Sequence, residues 1–362
     1  FGWDWSRRFV ISGIWDSVIL LGYKDVRISD CAFRHQGNSV ELELDIEAEQ
    51  DENMELSVSM APDNFNGTSA DFTFPLSLDA GRNNRRVTFE MPDVELWYPN
   101  HAGKQNLYKL RLKLGDSIWE NVVGFRSLKM LRNPKSPEGA YHLTFMVNEQ
   151  TVFARGLNWV PADLMYSRNC RESYERLIAL AAHAGFNIFR VWGGGMVEKD
   201  VFYELCDRYG ILVWQEFMHS CSNYSKAPEY LAFKRDEGEA ILRKLRNHVS
   251  ISMICGGNEM QYYGEKANSP LLEQYGRLVE KFAPFLPYHV SSPDLSRPGE
   301  HNHGPWHFQE HSSYNGHFRL LASEIGCNGM PEYESLRRFI PEDELESMQG
   351  QNLNFHFMIQ SG

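Results

Sequence analysis

The feature that most limits what this chain can fold into is a change of hydrophobic period near residue 131. Before it, the pattern has period two: in VELELDIEAE, Val40, Leu42, Leu44 and Ile46 share one face and acidic residues the other. YKLRLKLG repeats the alternation with Tyr108, Leu110, Leu112 and Leu114. RRVTFEMP adds another short strand, and Gly, Asn, Asp and Pro fill the gaps. Strands that hide one face and wet the other specify a small antiparallel β-sandwich, here residues 24–130. Trp97 and Tyr98 are its exposed-aromatic candidates, expected as an interdomain contact.

After RNPKSPEGAY, apolar strands alternate with amphipathic helices. ARGLNWV precedes a helix through ESYERLIALAAHAG that ends at Gly185, and NIFRVW precedes VEKDVFYELCDRYG, which ends at Gly210. ILVWQEF, the charged helix LAFKRDEGEAILRKLRNH and SISMICGGNE continue the series. Strand–helix alternation at this spacing predicts a (β/α)8 barrel over residues 131–362, an α/β fold. YHVSS, GPWHF and LLASEIG are its expected fifth, sixth and seventh strands, and an eighth is not evident before Gly362. A doubly wound sheet fits less well, because RVWGGG lacks the spaced glycines of a dinucleotide fingerprint.

Composition narrows the function. The chain has 362 residues, enough for two or three domains, and 48 acidic against 36 basic residues give a net charge of -12. That charge repels polyphosphate, so nucleic acid is not an expected partner. No run approaches the roughly 18 apolar residues that span a bilayer, so no membrane partner is expected either. The six cysteines are scattered singly, without the close pairs of zinc or redox sites, and read as mostly buried thiols.

Active sites of barrels gather at the carboxyl ends of the strands. Two acids follow apolar residues at such positions: Glu259, after Asn258, on strand four, and Glu324, after Ser323, on strand seven. An isolated Glu there more often binds an arginine or caps a helix. A pair from separate strands suits glycoside hydrolysis, in which one carboxyl protonates the leaving oxygen and the other attacks the anomeric carbon or activates water. Trp159, Trp192, Trp214 and Trp306 lie near strand ends, where indoles could wall a sugar ring, although any one of them could equally be core. His301, His303, His307 and His311 invite a metal reading. A solvated loop with one sugar-binding His explains them more simply, so no metal and no cofactor is expected.

CGGNE, FRVWGGG, RGLNWVPAD, LVWQEFM and SEIG, in this chain, resemble glycoside hydrolase family 2, specifically its β-mannosidase branch. GIWDSVIL and FGWDW are similar to the end of that family's amino-terminal jelly roll, so residues 1–23 would be its tail, with most of it before Phe1. ELWYPN, NLYKL and VGFRSL are similar to its immunoglobulin-like second domain. The resemblance implies a retaining exo-β-mannosidase with Glu259 as acid/base and Glu324 as nucleophile, their carboxyls about 5–5.5 Å apart. It further implies that Asn258 binds the 2-hydroxyl, that Arg190 supports Glu324, and that Trp192, His307, Trp3 and Asp4 line the sugar. Glu259 is expected to have a raised pKa. The implied partner is a β-mannoside oligosaccharide or glycoconjugate, in a periplasmic, secreted or lysosomal setting rather than the cytoplasm.

Departures from the family pattern are equally visible. Ile254 replaces a Trp, and Gly304-Pro305-Trp306-His307-Phe308-Gln309 stands where the family tends to read Gly-Asp-x-His-Tyr-Trp. The rival readings are an endo-β-mannosidase, a β-galactosidase or β-glucuronidase of the same family, and an inactive carbohydrate-binding fragment.

Overall fold

The computed structural model describes residues 3, 11–134, 136–140, 142–261, 265–294, 303–306, 309–312, 321–326 and 331–356, with the backbone alone for 265–267 and 355–356. The period-two region forms two antiparallel sheets. One holds β1 (Val26–Gln36), β2 (Ser39–Ala48) and β5 (Gly81–Glu90) in the order β1-β2-β5. The other holds β3 (Glu52–Pro62), β4 (Ala70–Leu78), β6 (Tyr108–Leu114) and β7 (Ser117–Val123) in the order β4-β3-β6-β7. Val40, Leu42, Leu44 and Ile46 point inward and are at most 1 % exposed. They pack with Leu56, Val58, Met60, Leu110, Leu112 and Leu114 of the facing sheet. A one-residue slip would send every one of these to water, so the register follows from the alternation.

β8 (Leu128–Leu131), β9 (Thr144–Val147) and β10 (Gln150–Val152) form a small antiparallel sheet that the sequence reading does not contain. Phe145 and Val147 pack with Trp97, Trp214 and Met253 against the sheet that follows.

That sheet is parallel and five-stranded, with β11 (Gly156–Trp159), β12 (Ile188–Val191), β13 (Leu212–Glu216), β14 (Ile251–Cys255) and β15 (Tyr288–His289) adjacent in chain order. Every residue of β12, β13 and β14 is buried, as expected for a parallel sheet with covered faces. Helices α1 (Arg171–His183), α2 (Asp200–Tyr209) and α3 (Pro228–Leu245) fall where the pattern predicts. Gly210 ends α2 at φ 72°, a conformation that costs a residue with a Cβ. A fourth helix, α4 (Glu265–Phe282), was not expected, because Pro270 and Gly276 interrupt its pattern. Three short helices, Tyr333–Leu336, Glu342–Ser347 and Gln351–His356, close the described chain.

The sixth and seventh strands expected in GPWHF and LLASEIG are not strands among the described residues. These segments nevertheless lie side by side: Gly304 N–H donates to Glu324 O at 3.0 Å and Gly326 N–H to Pro305 O at 3.1 Å. A proline, which brings no N–H, and two residue-wide contacts do not make a ladder. Among the described residues no helix is long and apolar enough to cross a membrane.

The sandwich and the parallel sheet are joined by specific polar contacts. Trp97 is fully buried and its indole N–H donates to the carbonyl of Asp207 at 2.7 Å. Arg243 reaches Asp30 and Asp45 at 2.6 and 2.7 Å. Asn247 acts as a one-residue strand neighbour to β1, accepting from Phe33 N–H at 2.9 Å and donating to Cys31 O at 2.8 Å. We expect Trp97→Ala to cost about 3–5 kcal/mol through the cavity it leaves. Trp97→Phe, which keeps most of the volume and loses the hydrogen bond, should cost about 1–3 kcal/mol. Urea midpoints equal to that of the parent would show that the joint is not stabilised this way.

Candidate active site

The carboxyl ends of the parallel strands converge on Arg190, the third residue of β12 and 4 % exposed. Its guanidinium has five N–H groups, and each of its three nitrogens has an acceptor. Nε donates to Glu216 Oε1 at 2.9 Å, and Nη2 lies 2.8 Å from the same oxygen. Nη2 also donates to Asn258 Oδ1 at 2.6 Å, and Nη1 donates to Asn158 Oδ1 and to Glu324 Oε2, each at 2.9 Å. Asn158 sits opposite Arg190 in the β11–β12 register, so the pairing of the strands delivers that contact. Burial alone would lower the arginine's pKa; Glu216 and Glu324 outweigh it and raise it, which keeps the charge in place.

Asn258 and Glu259 follow β14. Bridges from Asn258 to Ser220 and Ser292 extend the parallel pattern one step beyond the ladder. Gly257, at φ 146°, turns the chain there, and Glu259 itself stands at φ 52°. A left-handed conformation at a non-glycine residue is strained and persists where the surroundings over-determine it. Here the surroundings grip both ends of the residue: its N–H donates to Ser292 O at 2.8 Å, and both carboxylate oxygens are bonded.

Those bonds come from His303 and Cys221. His303 Nδ1–H donates to Glu259 Oε1 at 2.8 Å and lies 3.3 Å from Glu324 Oε2. The Cys221 thiol donates to Glu259 Oε2 at 3.0 Å. Burial pushes that thiol up to about 12, so it remains an S–H donor at neutral pH. Trp306 Nε1–H donates to Glu324 Oε1 at 3.2 Å. One oxygen of Glu259, one of Glu324 and a ring nitrogen of His303 therefore lie within 4.8 Å of one another. Such a trio of donors is compact enough for a cation, and hydrogen bonds among the three and from Arg190 already satisfy the same atoms.

The raised pKa expected of Glu259 is not what this geometry produces. Burial does push it up, but the hydrogen bonds from His303 and Cys221 and the charges of His303 and Arg190 outweigh burial, and the carboxyl lies below its ordinary value. The sequence gives no means of foreseeing a thiol and an imidazole on one carboxylate.

Of the other expected residues, Trp192 is buried and packs edge-on against Trp3, ring centroids 4.8 Å apart. Trp3 thus reaches the segment two residues beyond Arg190. Asp4 and His307 lie outside the described residues. Trp159 and Trp214 are core rather than sugar-facing: Trp159 stacks on Phe189 and gives its N–H to Glu198, and Trp214 is 1 % exposed. Trp306, by contrast, is 42 % exposed beside Glu324. Sequence reasoning placed His303 in a solvated His cluster, whereas it is 5 % exposed, and missed Cys221 and Glu216 as site residues. The signal for Glu216 was its place at the tip of a buried strand in LVWQEF; for Cys221 there was none.

Removing one donor from the Glu259 carboxylate, as in Cys221→Ala, destabilises its ionised form. We expect the pH at which Glu259 ionises to rise, moving the alkaline limb of kcat/KM to higher pH, while Cys221→Ser, which keeps a donor, moves it less. An alkaline limb unmoved in Cys221→Ala would show that the thiol does not act on this carboxylate.

The model of the family described as Glycosyl hydrolases family 2 matches residues 26–126. A curated Beta-mannosidase B of Emericella nidulans is 28 % identical over 98 % of this chain and 46 % of its own length; a Probable beta-mannosidase of Caenorhabditis elegans is 26 % identical over 96 % and 43 %. A crystal structure of a Beta-D-Mannosidase from Dictyoglomus thermophilum superposes with a TM-score of 0.85 at 30 % identity, covering 100 % of this chain and 47 % of that one. The chain spans about half the length of the relatives it matches. The chain is similar to glycosyl hydrolase family 2, and the relatives it matches are named as β-mannosidases.

Proposed function

We propose that this chain carries the catalytic centre of a retaining exo-β-mannosidase. Glu324 is the nucleophile and Glu259 the acid/base, and the hydrolysis of a terminal β-mannosyl bond passes through a covalent glycosyl-enzyme. The observation that carries the reading is the closeness of two carboxylates from different parts of the parallel sheet's rim, with an oxygen of each within 4.8 Å. Inverting enzymes keep their carboxyls about 6.5–9.5 Å apart to admit a water between them, so the close pair favours retention. The printed activities of the relatives named above support the sugar.

The two carboxylates have different surroundings, and these suit different work. Glu324 Oε2 is held by Arg190 and Oε1 by Trp306, an arrangement that keeps an ionised group aimed and ready to attack. Hydrogen bonds from His303 and Cys221 favour the ionised form of Glu259. That is the form needed when it activates water against the glycosyl-enzyme. For the first half-reaction it must be protonated, and a bound sugar that excludes water raises the cost of two adjacent negative charges and so favours the proton. Asn258, held by Arg190 at 2.6 Å, offers its side chain to the 2-hydroxyl. Trp3, Trp192, Asp4 and His307 line the terminal sugar. In this reading residues 1–23 are the tail of a jelly roll, 24–130 an immunoglobulin-like domain and 131–362 a (β/α)8 barrel.

Glu324→Ala should lower turnover of an aryl β-mannoside by about 10³-fold or more. Glu259→Ala should slow natural mannosides far more than substrates with an excellent leaving group, and azide should restore turnover by forming β-mannosyl azide. Near-parental activity in Glu324→Ala would falsify the assignment. A preference of the parent for an aryl galactoside or glucuronide would replace mannose as the substrate. Cleavage that depends on internal rather than terminal linkages would replace exo by endo action.

A further inference from the structure

A third acid stands in the site, and the double-displacement chemistry does not use it. Glu216 ends β13 with no exposed surface. A buried carboxylate costs several kcal/mol of lost hydration unless it is paired and hydrogen-bonded, so its partners account for its presence. Oε1 accepts Nε–H of Arg190 at 2.9 Å and lies 2.8 Å from Nη2, and Oε2 accepts the backbone N–H of Gly193 at 2.8 Å. A Cβ on Gly193 would stand 2.4 Å from His219 O and 2.7 Å from Phe217 O, so only glycine lets the loop come close enough to make that bond. The same loop carries Trp192, which packs on Trp3.

Without Glu216, Nε–H loses its acceptor and Nη2 its ion-pair partner, and the guanidinium is free to turn about its stem. Its charge would also fall on one anion instead of two. An undivided positive charge 2.9 Å from Glu324 holds that carboxylate's electron density back from the anomeric carbon. Besides Arg190, His303 and Cys255 face Glu216 electrostatically.

We propose that Glu216 is a positioning residue: by fixing Arg190 and sharing its charge, it sets the aim and nucleophilicity of Glu324 and couples them to the Trp192 loop. This rests on the assignment of Glu324 as nucleophile. Glu216 itself touches no substrate.

The test compares Glu216→Gln, Glu216→Asp and Glu216→Ala in the intact chain. Two readouts are used: steady-state kinetics on an aryl β-mannoside, and the rate at which 2-deoxy-2-fluoro-β-mannosyl fluoride traps Glu324, followed by intact mass. Glu216→Gln keeps the shape and loses the charge. We expect kcat and the trapping rate to fall together by about 10²-fold, KM to change by less than about threefold, and thermal melting to stay close to that of the parent. Glu216→Asp, with the charge on a shorter stem, should recover part of the loss; Glu216→Ala should not. Parental kcat and trapping in Glu216→Gln overturn the inference, as does a series in which activity follows melting temperature alone. If the parent hydrolyses a different aryl β-glycoside, the mannoside reading fails while the Glu216 series is judged on that sugar.

Discussion

The site depends on one buried guanidinium, each of whose three nitrogens has an acceptor. Arg190 binds Asn158 from the neighbouring strand, Glu216 from the strand on its other side, Asn258 from the next, and Glu324 from a segment more than a hundred residues away. Each bond is charge-assisted or made to a strong acceptor in a space closed to water, where an unmet donor is costly. The arrangement is therefore close to all-or-none. Moving any one acceptor leaves a buried N–H unpaired, so the strand tips and the Glu324 segment are held in a single relative geometry.

The scaffold meets that demand with rigid parts. Parallel strands, fully buried at β12 and β13, set the positions of Asn158, Arg190 and Glu216 to within the pleat, and single-residue bridges carry the pattern to Asn258. Glu324 lacks a ladder to hold it. It is placed instead by backbone bonds between its segment and the Gly304–Pro305 turn, and by side-chain bonds from Arg190 and Trp306. The strained backbone at Glu259 fits the same logic, since its carboxylate is gripped at both oxygens. Strain and tight coordination occur together at the position proposed to exchange a proton.

The two carboxylates, Arg190 and Asn258 were legible as residues because strand tips in an alternating βα pattern are the places where side chains converge. Their environments were not legible. Whether Glu259 lies above or below its ordinary pKa depends on a thiol thirty-eight positions earlier and an imidazole forty-four later, and no local pattern marks either. The aromatic residues show the same limit. Trp159, Trp214 and Trp306 look alike in sequence, yet two fill the core and one faces the rim. Helix α4 escaped notice because its internal proline and glycine outweigh, by propensity, an apolar face that tertiary burial satisfies.

Taken alone, the amino-acid sequence determined where the chain alternates every second residue and where it cycles between strand and helix, because those periods arise from side chains one to four positions apart. It also singled out Glu259 and Glu324, and the family to which their motifs point. Only the tertiary structure decided that GPWHF and LLASEIG meet as irregular segments, that His303 and Cys221 share one carboxylate, and that Glu216 and Glu324 divide one arginine. Those outcomes depend on distances between residues far apart in the chain, and on burial that turns a modest hydrogen bond into a binding constraint.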